Sequence, residues 1–352
     1  MPSSTATRRS EMPRRGASSR STCASTVESL PPEAPRVNPL FGTVFSQHRR
    51  SQDLLYIFTG SLGLRANRGR SAARADRHGQ TSEEAPAAPD GPLKVMIPEN
   101  LTMEQVVEKN PLVELGGQYW PPDCWTHHHT AVVVPYYGQA RHLQHLLFHL
   151  HPFLQRQQLH YGIYVVNQVN STAFNRGKLR NVGFWEAMQD EDWDCVFFHD
   201  VNLLPEDDRN LYICDIFPAH VAVAIDKFNY KLPYRGYLGG VFALRPIHYL
   251  RINGFPSTHW GWGREDDDIA ARLKLSGMPL LRPHLLFGRY HMLEEGPDPS
   301  QEQSPPSPGL QALIRHKWRP NGTDLLDYRL LSKELQPLYT NLTVDISPSV
   351  PG

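Results

Sequence analysis

Four carboxylates stand in a row at Glu265-Asp266-Asp267-Asp268, directly after Trp260-Gly261-Trp262-Gly263-Arg264. Acidic residues in the first turn of a helix complement its dipole, which is the bland account of such a run. The chemical account is that a hydroxyl is a poor nucleophile at neutral pH, and a carboxylate beside it takes its proton as it attacks. A second polar group, His199-Asp200-Val201-Asn202, closes an apolar run that begins at Cys195. The histidines do not converge in the same way. His127, His128 and His129 are consecutive, so in an extended segment they point to alternate faces. His145 and His149 share a helical face at i, i+4 but have no third ligand in reach, which favours packing.

Alternating elements must hold these groups. Residues 130–136 form a short continuous apolar run rich in β-branched side chains and read as a buried strand. Leu143, Leu146, Leu147, Leu150 and Leu154 then recur at helical spacing, with Pro152 expected to kink or break the helix. A strand over 161–169, a helix over 175–188 and a strand over 194–200 complete a βαβαβ pattern. Two more strands are predicted over 220–225 and 239–245, and a helix from Glu265 with Gly277 just past its end. Before the pattern, residues 101–117 predict an amphipathic helix closed by Gly116-Gly117; after it, the segment ending near 346 predicts an edge strand. Such alternation implies a mostly parallel, Rossmann-like α/β sheet flanked by helices, with ligands at the carboxyl ends of the strands. The end after Phe198 is where Asp200 and Asn202 stand.

Composition bounds the rest. The 352 residues carry 36 Lys plus Arg against 36 Asp plus Glu, which argues against a nucleic-acid partner. Residues 1–90, with 13 Arg, no Lys and 8 acidic residues, are rich in Ser, Pro and Ala and predict a disordered basic segment. That segment reads either as a partner-binding basic tail or as an artefact of gene assembly. The folded unit is expected over 91–346, divided at 220 into a nucleotide-binding part (91–220) and an acceptor part (221–346), with a short tail over 347–352. No apolar run reaches the ~20 residues of a membrane span. Sequons at Asn100, Asn170, Asn321 and Asn341 suit glycosylation in a secretory compartment.

Four segments together resemble the β-1,4-galactosyltransferases, the metal-dependent nucleotide-sugar enzymes of the GT-A fold in glycosyltransferase family 7. They are LQRQQLHYGIYVVNQ (154–168), FNRGKLRNVGF (174–184), HDVNLLPEDDRNLYIC (199–214) and NGFPSTHWGWGREDDDIAARL (253–273). The resemblance implies an inverting enzyme that moves galactose from UDP-galactose to a terminal N-acetylglucosamine of a glycan in β-1,4 linkage. It implies Asp266 as catalytic base, Glu265 as the residue that orients the acceptor, and Trp262 on the loop that closes over the donor. Gly263, Glu265, Asp266 and Asp267 would meet the acceptor, and Pro135, Phe174, Arg176, Asp200, Val201, Lys227 and Tyr237 the donor. Tyr237 matches the ring that keeps the donor pocket small. The family cofactor is Mn²⁺, and its ligand positions fall on Asn202, Met292 and Glu295, where the family carries Asp, Met and His. Tyr137 and Gln139 stand where the family has two arginines for the nucleotide, and Arg264 where it usually has Gly. Cys195 and Cys214 match one family disulfide; the second is expected to be missing, because residues 78–100 offer Cys124 no partner. The family implies a Golgi enzyme on a type II membrane anchor. The departures leave open a second reading, an impaired member that binds sugar or nucleotide without turning it over.

Overall fold

The computed structural model describes residues 21–23, 91–169, 174–257, 265–294 and 321–347. Two residues near the start, β1 (Ser21–Thr22), are followed much later by helix α1 (Met103–Lys109). A capping box opens α1: Thr102 accepts from the Gln105 N–H, and Gln105 reaches back to the Thr102 N–H. The helix is shorter than expected. Asn110, backed by Pro111, turns its side chain onto the Val106 carbonyl at 2.8 Å and ends it there.

Short strands β2 (Gln118–Tyr119) and β3 (Cys124–Trp125) lead to β4 (His129–Tyr136), helix α2 (Ala140–Arg156), β5 (His160–Gln168), helix α3 (Arg176–Asp190) and β6 (Cys195–His199). Helix α2 runs through Pro152 without a break. Proline cannot donate to the carbonyl one turn back, and that carbonyl, of Phe148, accepts from the Lys109 ammonium at 3.3 Å instead.

The chain goes on through β7 (Leu203–Pro205), β8 (Ala219–His220) and β9 (Ala224–Ile225), then β10 (Val241–Leu244), helix α4 (Pro246–Arg251) and helix α5 (Glu265–Leu275). It finishes with β11 (Arg289–Met292), β12 (Arg329–Leu335) and β13 (Thr340–Asp345). The single strand expected over 220–225 is two. β8 pairs with β10 in the main sheet, whereas β9 pairs with β11 in a separate three-stranded sheet β7-β11-β9.

Among the described residues the main sheet has the order β12-β13-β5-β4-β6-β10-β8, with β2 added to β5. β13, β5, β4 and β6 are parallel, and β10 turns antiparallel against β6. The expected terminal edge strand, β13, is interior: it lies between β5 and β12, and β12 takes the edge. Buried Leu342 and Val344 explain the choice, since they alternate with half-buried residues and face a core.

Alternation sorts the sheet into two cores. Val132, Val134, Ile163, Val165 and Phe197 face α2, whereas Ala131, Val133, Tyr164, Val166, Val196 and Phe198 face α3, α4 and α5. Gly183 lets α3 lie close on the sheet: a side chain there would collide with Val133 and come within 2.8 Å of Val166.

Two disulfides close the structure. Cys195 pairs with Cys214, as the resemblance implies. The bridge expected to be missing is present, because Cys23 pairs with Cys124. Cys23 lies outside the segment where the family spacing would put the partner, directly after β1, which adds in parallel to β3. No described helix is long and apolar enough to cross a membrane.

Candidate active site

Three loop starts meet at the carboxyl ends of the parallel strands. β4 ends at Tyr136, β5 leads to Phe174, and β6 leads to Asp200. The buried Pro135 lies in β4 opposite Val166 of β5. Asn175 caps α3 by accepting from the Lys178 N–H at 2.9 Å, and its own N–H donates to the Gln168 side chain at 3.0 Å. That cap aims the first turn of α3 at α5. Gly177 keeps the approach open, with the Pro256 carbonyl 3.1 Å and the Glu265 Cβ 3.4 Å from where a side chain would begin.

The two helix starts meet through charge. Arg176 donates from Nε to Glu265 Oε1 at 2.5 Å, from Nη1 to Asp200 Oδ2 at 2.7 Å and from Nη2 to Asp266 Oδ2 at 2.6 Å. Arg180, one turn on, donates from Nη1 to Asp266 Oδ1 and from Nη2 to Asp200 Oδ1, each at 2.6 Å. Two guanidiniums and two aspartates thus alternate in a closed ring, with Glu265 attached. Side chains this buried need such compensation, because an isolated charge loses its hydration. Burial would raise the Glu265 carboxyl, but the Arg176 and Arg180 charges and its hydrogen bonds outweigh burial and hold it below the usual range. The same three carboxylates outweigh the burial of Arg176 and hold its guanidinium above the usual range.

On the other side of α5, Tyr234 donates its hydroxyl to Asp267 Oδ1 at 2.6 Å. Burial, with the Asp266 and Glu265 charges, pushes the Asp267 carboxyl up against that hydrogen bond. Tyr237 is buried, its ring packed edge-on against Tyr234, Phe228 and His220. Burial and the Asp266 and Asp200 charges push its hydroxyl well up.

Asn202 and Met292 come together across β7 and β11. The Leu293 N–H donates to the Asn202 carbonyl at 2.8 Å, and Met292 pairs with Leu203. A neutral amide oxygen and a thioether are both weak donors for a hard cation. No group of three His, Cys, Asp or Glu among the described residues is placed to hold a metal. Val201 is buried between the two motifs. Lys227 is exposed on a 3₁₀ turn, which Asp226 ties to β11 through His291 Nδ1 at 2.5 Å and the Met292 N–H at 2.9 Å. Tyr137 stacks on Phe174 with ring centroids 5.9 Å apart, and its N–H donates to the Gln139 side chain at 3.2 Å.

Trp262, Gly263, Arg264, Glu295 and Asn170 lie outside the described residues. Of the other sequons, Asn100 is exposed, Asn321 accepts from the Ser257 N–H at 3.2 Å, and Asn341 sits in interior strand β13, bonded to Thr343. His145 is buried, and His149 bonds the Met96 carbonyl at 2.6 Å, which are packing roles. Arg180 and Tyr234 were not singled out from the sequence. Arg180 had a signal, its i, i+4 spacing from Arg176 on one helical face; Tyr234 had none.

The Rossmann-like sheet, with arginines and carboxylates at its strand ends, is the GT-A type of glycosyltransferase fold seen in the solved neighbours. The pattern for the N-terminal region of glycosyl transferase group 7 matches residues 82–215, and that for the N-terminal domain of galactosyltransferase matches residues 219–296. The chain is 51% identical over 263 residues to β-1,4-galactosyltransferase 3 of Rattus norvegicus, covering 74% of this chain and 67% of that one. It is 46% identical over 279 residues to β-1,4-galactosyltransferase 2 of Cricetulus griseus, covering 77% and 75%. Among solved structures, a Drosophila β-1,4-galactosyltransferase 7 mutant in complex with manganese, UDP-Gal and xylobiose superposes with a TM-score of 0.53 at 26% identity. That match covers 63% of this chain and 95% of the other. The chain belongs to the β-1,4-galactosyltransferase family.

Proposed function

We propose that this chain transfers galactose from UDP-galactose to the 4-hydroxyl of a terminal N-acetylglucosamine, with inversion at the anomeric carbon. The observation that carries the reading is Asp266. It stands at the N-terminus of α5 with its carboxylate oriented by two guanidiniums and linked through them to Asp200 on the donor side. In the reaction the acceptor hydroxyl attacks the anomeric carbon, its proton passes to Asp266, and UDP leaves from the opposite face. Phe174 and Tyr137 offer an aromatic surface to the base of the donor, and Tyr237 limits the room for its sugar. Glu265, held ionised, orients the acceptor. A divalent cation such as Mn²⁺ would neutralise the donor diphosphate, and Asn202 and Met292, with Glu295 beyond the described residues, would hold it.

Two disulfides and the exposed sequon at Asn100 suit an oxidising compartment. The Golgi lumen is the compartment that the family resemblance implies, and we propose it for this chain. A second reading, an impaired member that binds donor without turnover, is favoured by Asn202 in the metal motif and by Tyr137 and Gln139 in place of charged donors. The experiment is UDP-galactose consumption by the full chain, with N-acetylglucosamine as acceptor and Mn²⁺ titrated, beside Asp266→Asn. Turnover that Asp266→Asn abolishes supports transfer. Binding of UDP-galactose without turnover moves the reading to the second.

A further inference from the structure

Arg180 is fully buried and does not use its fork in the ordinary way. A guanidinium that serves only to neutralise a buried carboxylate does best bidentate, with two parallel bonds to one partner. Arg180 instead splits its two Nη groups between two partners, Asp266 on α5 and Asp200 after β6, at 2.6 Å each. Its buried Nε has no hydrogen-bond partner among the described residues. The plane of the fork is set by aromatic rings, with Phe255 centred 5.0 Å and Phe242 5.6 Å from its Cζ. Arg176 makes the same two contacts from the rim, where its side chain keeps 9% of its surface open; that of Arg180 keeps none.

The two arginines therefore differ in what they can reach. Arg176 can exchange a carboxylate for an incoming ligand, and Arg180 cannot. We propose that Arg180 is a positioning residue for galactosyl transfer: it holds the base Asp266 at a fixed distance from the donor-side Asp200 whether or not Arg176 is engaged by donor. The proposal rests on the transfer reading above. Its consequence is that Arg180 acts on the chemical step and not on donor capture, since its side chain is fully buried and Asp200 keeps its bond to Arg176.

The test uses the full chain with Arg180→Met and Arg180→Lys, measuring kcat, KM for UDP-galactose, UDP-galactose binding by calorimetry, and the thermal midpoint. In Arg180→Met we expect kcat to fall ~100-fold, the scale of an ångström's misplacement of a catalytic group, with KM and donor binding unchanged. Arg180→Lys should recover part of kcat, because an ammonium is a point charge and cannot reach both carboxylates in a planar fork. Folded Arg180→Met with wild-type kcat would overturn the proposal, as would parallel losses in kcat and donor binding. If Arg180→Met does not fold, Arg180→Lys decides: wild-type kcat overturns it, and reduced kcat at unchanged KM supports it. Wild type without turnover would sink the transfer reading instead. The bridge is then decided by thermal midpoints of Arg180→Lys, Asp266→Asn and the double variant: non-additive shifts support it, and additive shifts overturn it.

Discussion

Asp200 and Asp266 share the same two guanidinium groups, each carboxylate taking one bond from Arg176 and one from Arg180. One aspartate follows β6 and the other stands in the first turn of α5, so the ring ties a strand end of the sheet to a helix start, the donor side and the base of the proposed reaction. Charges buried this far survive only because each is matched. The arrangement orders both carboxylates before any substrate arrives, which is the condition for a base to act in a fixed geometry.

Asp266→Asn removes the proton acceptor while keeping shape and one oxygen for the arginines. Transfer should fall by roughly 10²- to 10⁴-fold, the usual worth of a positioned base. UDP-galactose binding by calorimetry should persist. Loss of binding together with loss of rate would point to collapse of the ring and away from base chemistry.

Asn202→Asp puts a carboxylate just before β7, the strand that pairs with β11 and Met292. A charged oxygen binds a hard cation better than a neutral amide. Mn²⁺ titration followed by electron paramagnetic resonance should show tighter binding in the variant than in wild type. Equal affinities would show that Asn202 is not a ligand.

Tyr137→Ala removes the ring stacked on Phe174. Base–aromatic stacking is worth about 1–3 kcal/mol, so KM for UDP-galactose should rise ~10-fold while kcat holds. A change in kcat alone would place Tyr137 elsewhere in the cycle.

Cys23→Ser opens the bridge to Cys124, which closes a long loop. Loss of a native disulfide costs roughly 2–5 kcal/mol, so the thermal midpoint should drop. Mass spectrometry of the non-reduced wild type should find the Cys23–Cys124 peptide pair. Free thiols at both positions would refute the pairing.

Acid should unfold the protein through buried histidines. His151 bonds Tyr161 and the Leu338 carbonyl, His199 the Asp200 carbonyl, and His220 the Gly239 carbonyl. Burial pushes His151 and His199 down to about 4 and His220 to about 3, from 6.5. The unfolded chain takes up these protons near pH 6.5 and the folded chain does not until near pH 4. Their contribution is therefore present above pH 6.5 and is lost as pH falls toward 4. Denaturant midpoints between pH 7 and 4.5 should fall with a slope that His151→Gln reduces by about one proton. A slope unchanged by His151→Gln would assign the acid sensitivity to other groups.

Much of the scaffold could be read from the chain because its signals are local. The run 130–136 is apolar and β-branched, and it became β4; the leucine spacing from Leu143 to Leu154 became α2. Helix α5 begins at the acidic turn and ends just before Gly277, whose φ of +69° suits glycine. The elements that were misjudged depend on distant partners. Pro152 does not break α2 because Lys109 satisfies the carbonyl it strands, and residues 220–225 divide because two sheets compete for them.

The same division runs through the site. By itself the sequence determined the family, since the motifs that carry it lie in contiguous runs; Asp266 as base, Asp200 on the donor side and Asn202 in the metal motif are what that resemblance implies. Only the tertiary structure decided that Cys23 is the partner of Cys124, that Tyr137 stacks on Phe174, and that Arg180 joins Asp200 to Asp266. Each of these is a contact between elements far apart in the chain. Residue spacing constrains geometry only within an element, and packing alone brings a buried guanidinium between two carboxylates on different ones.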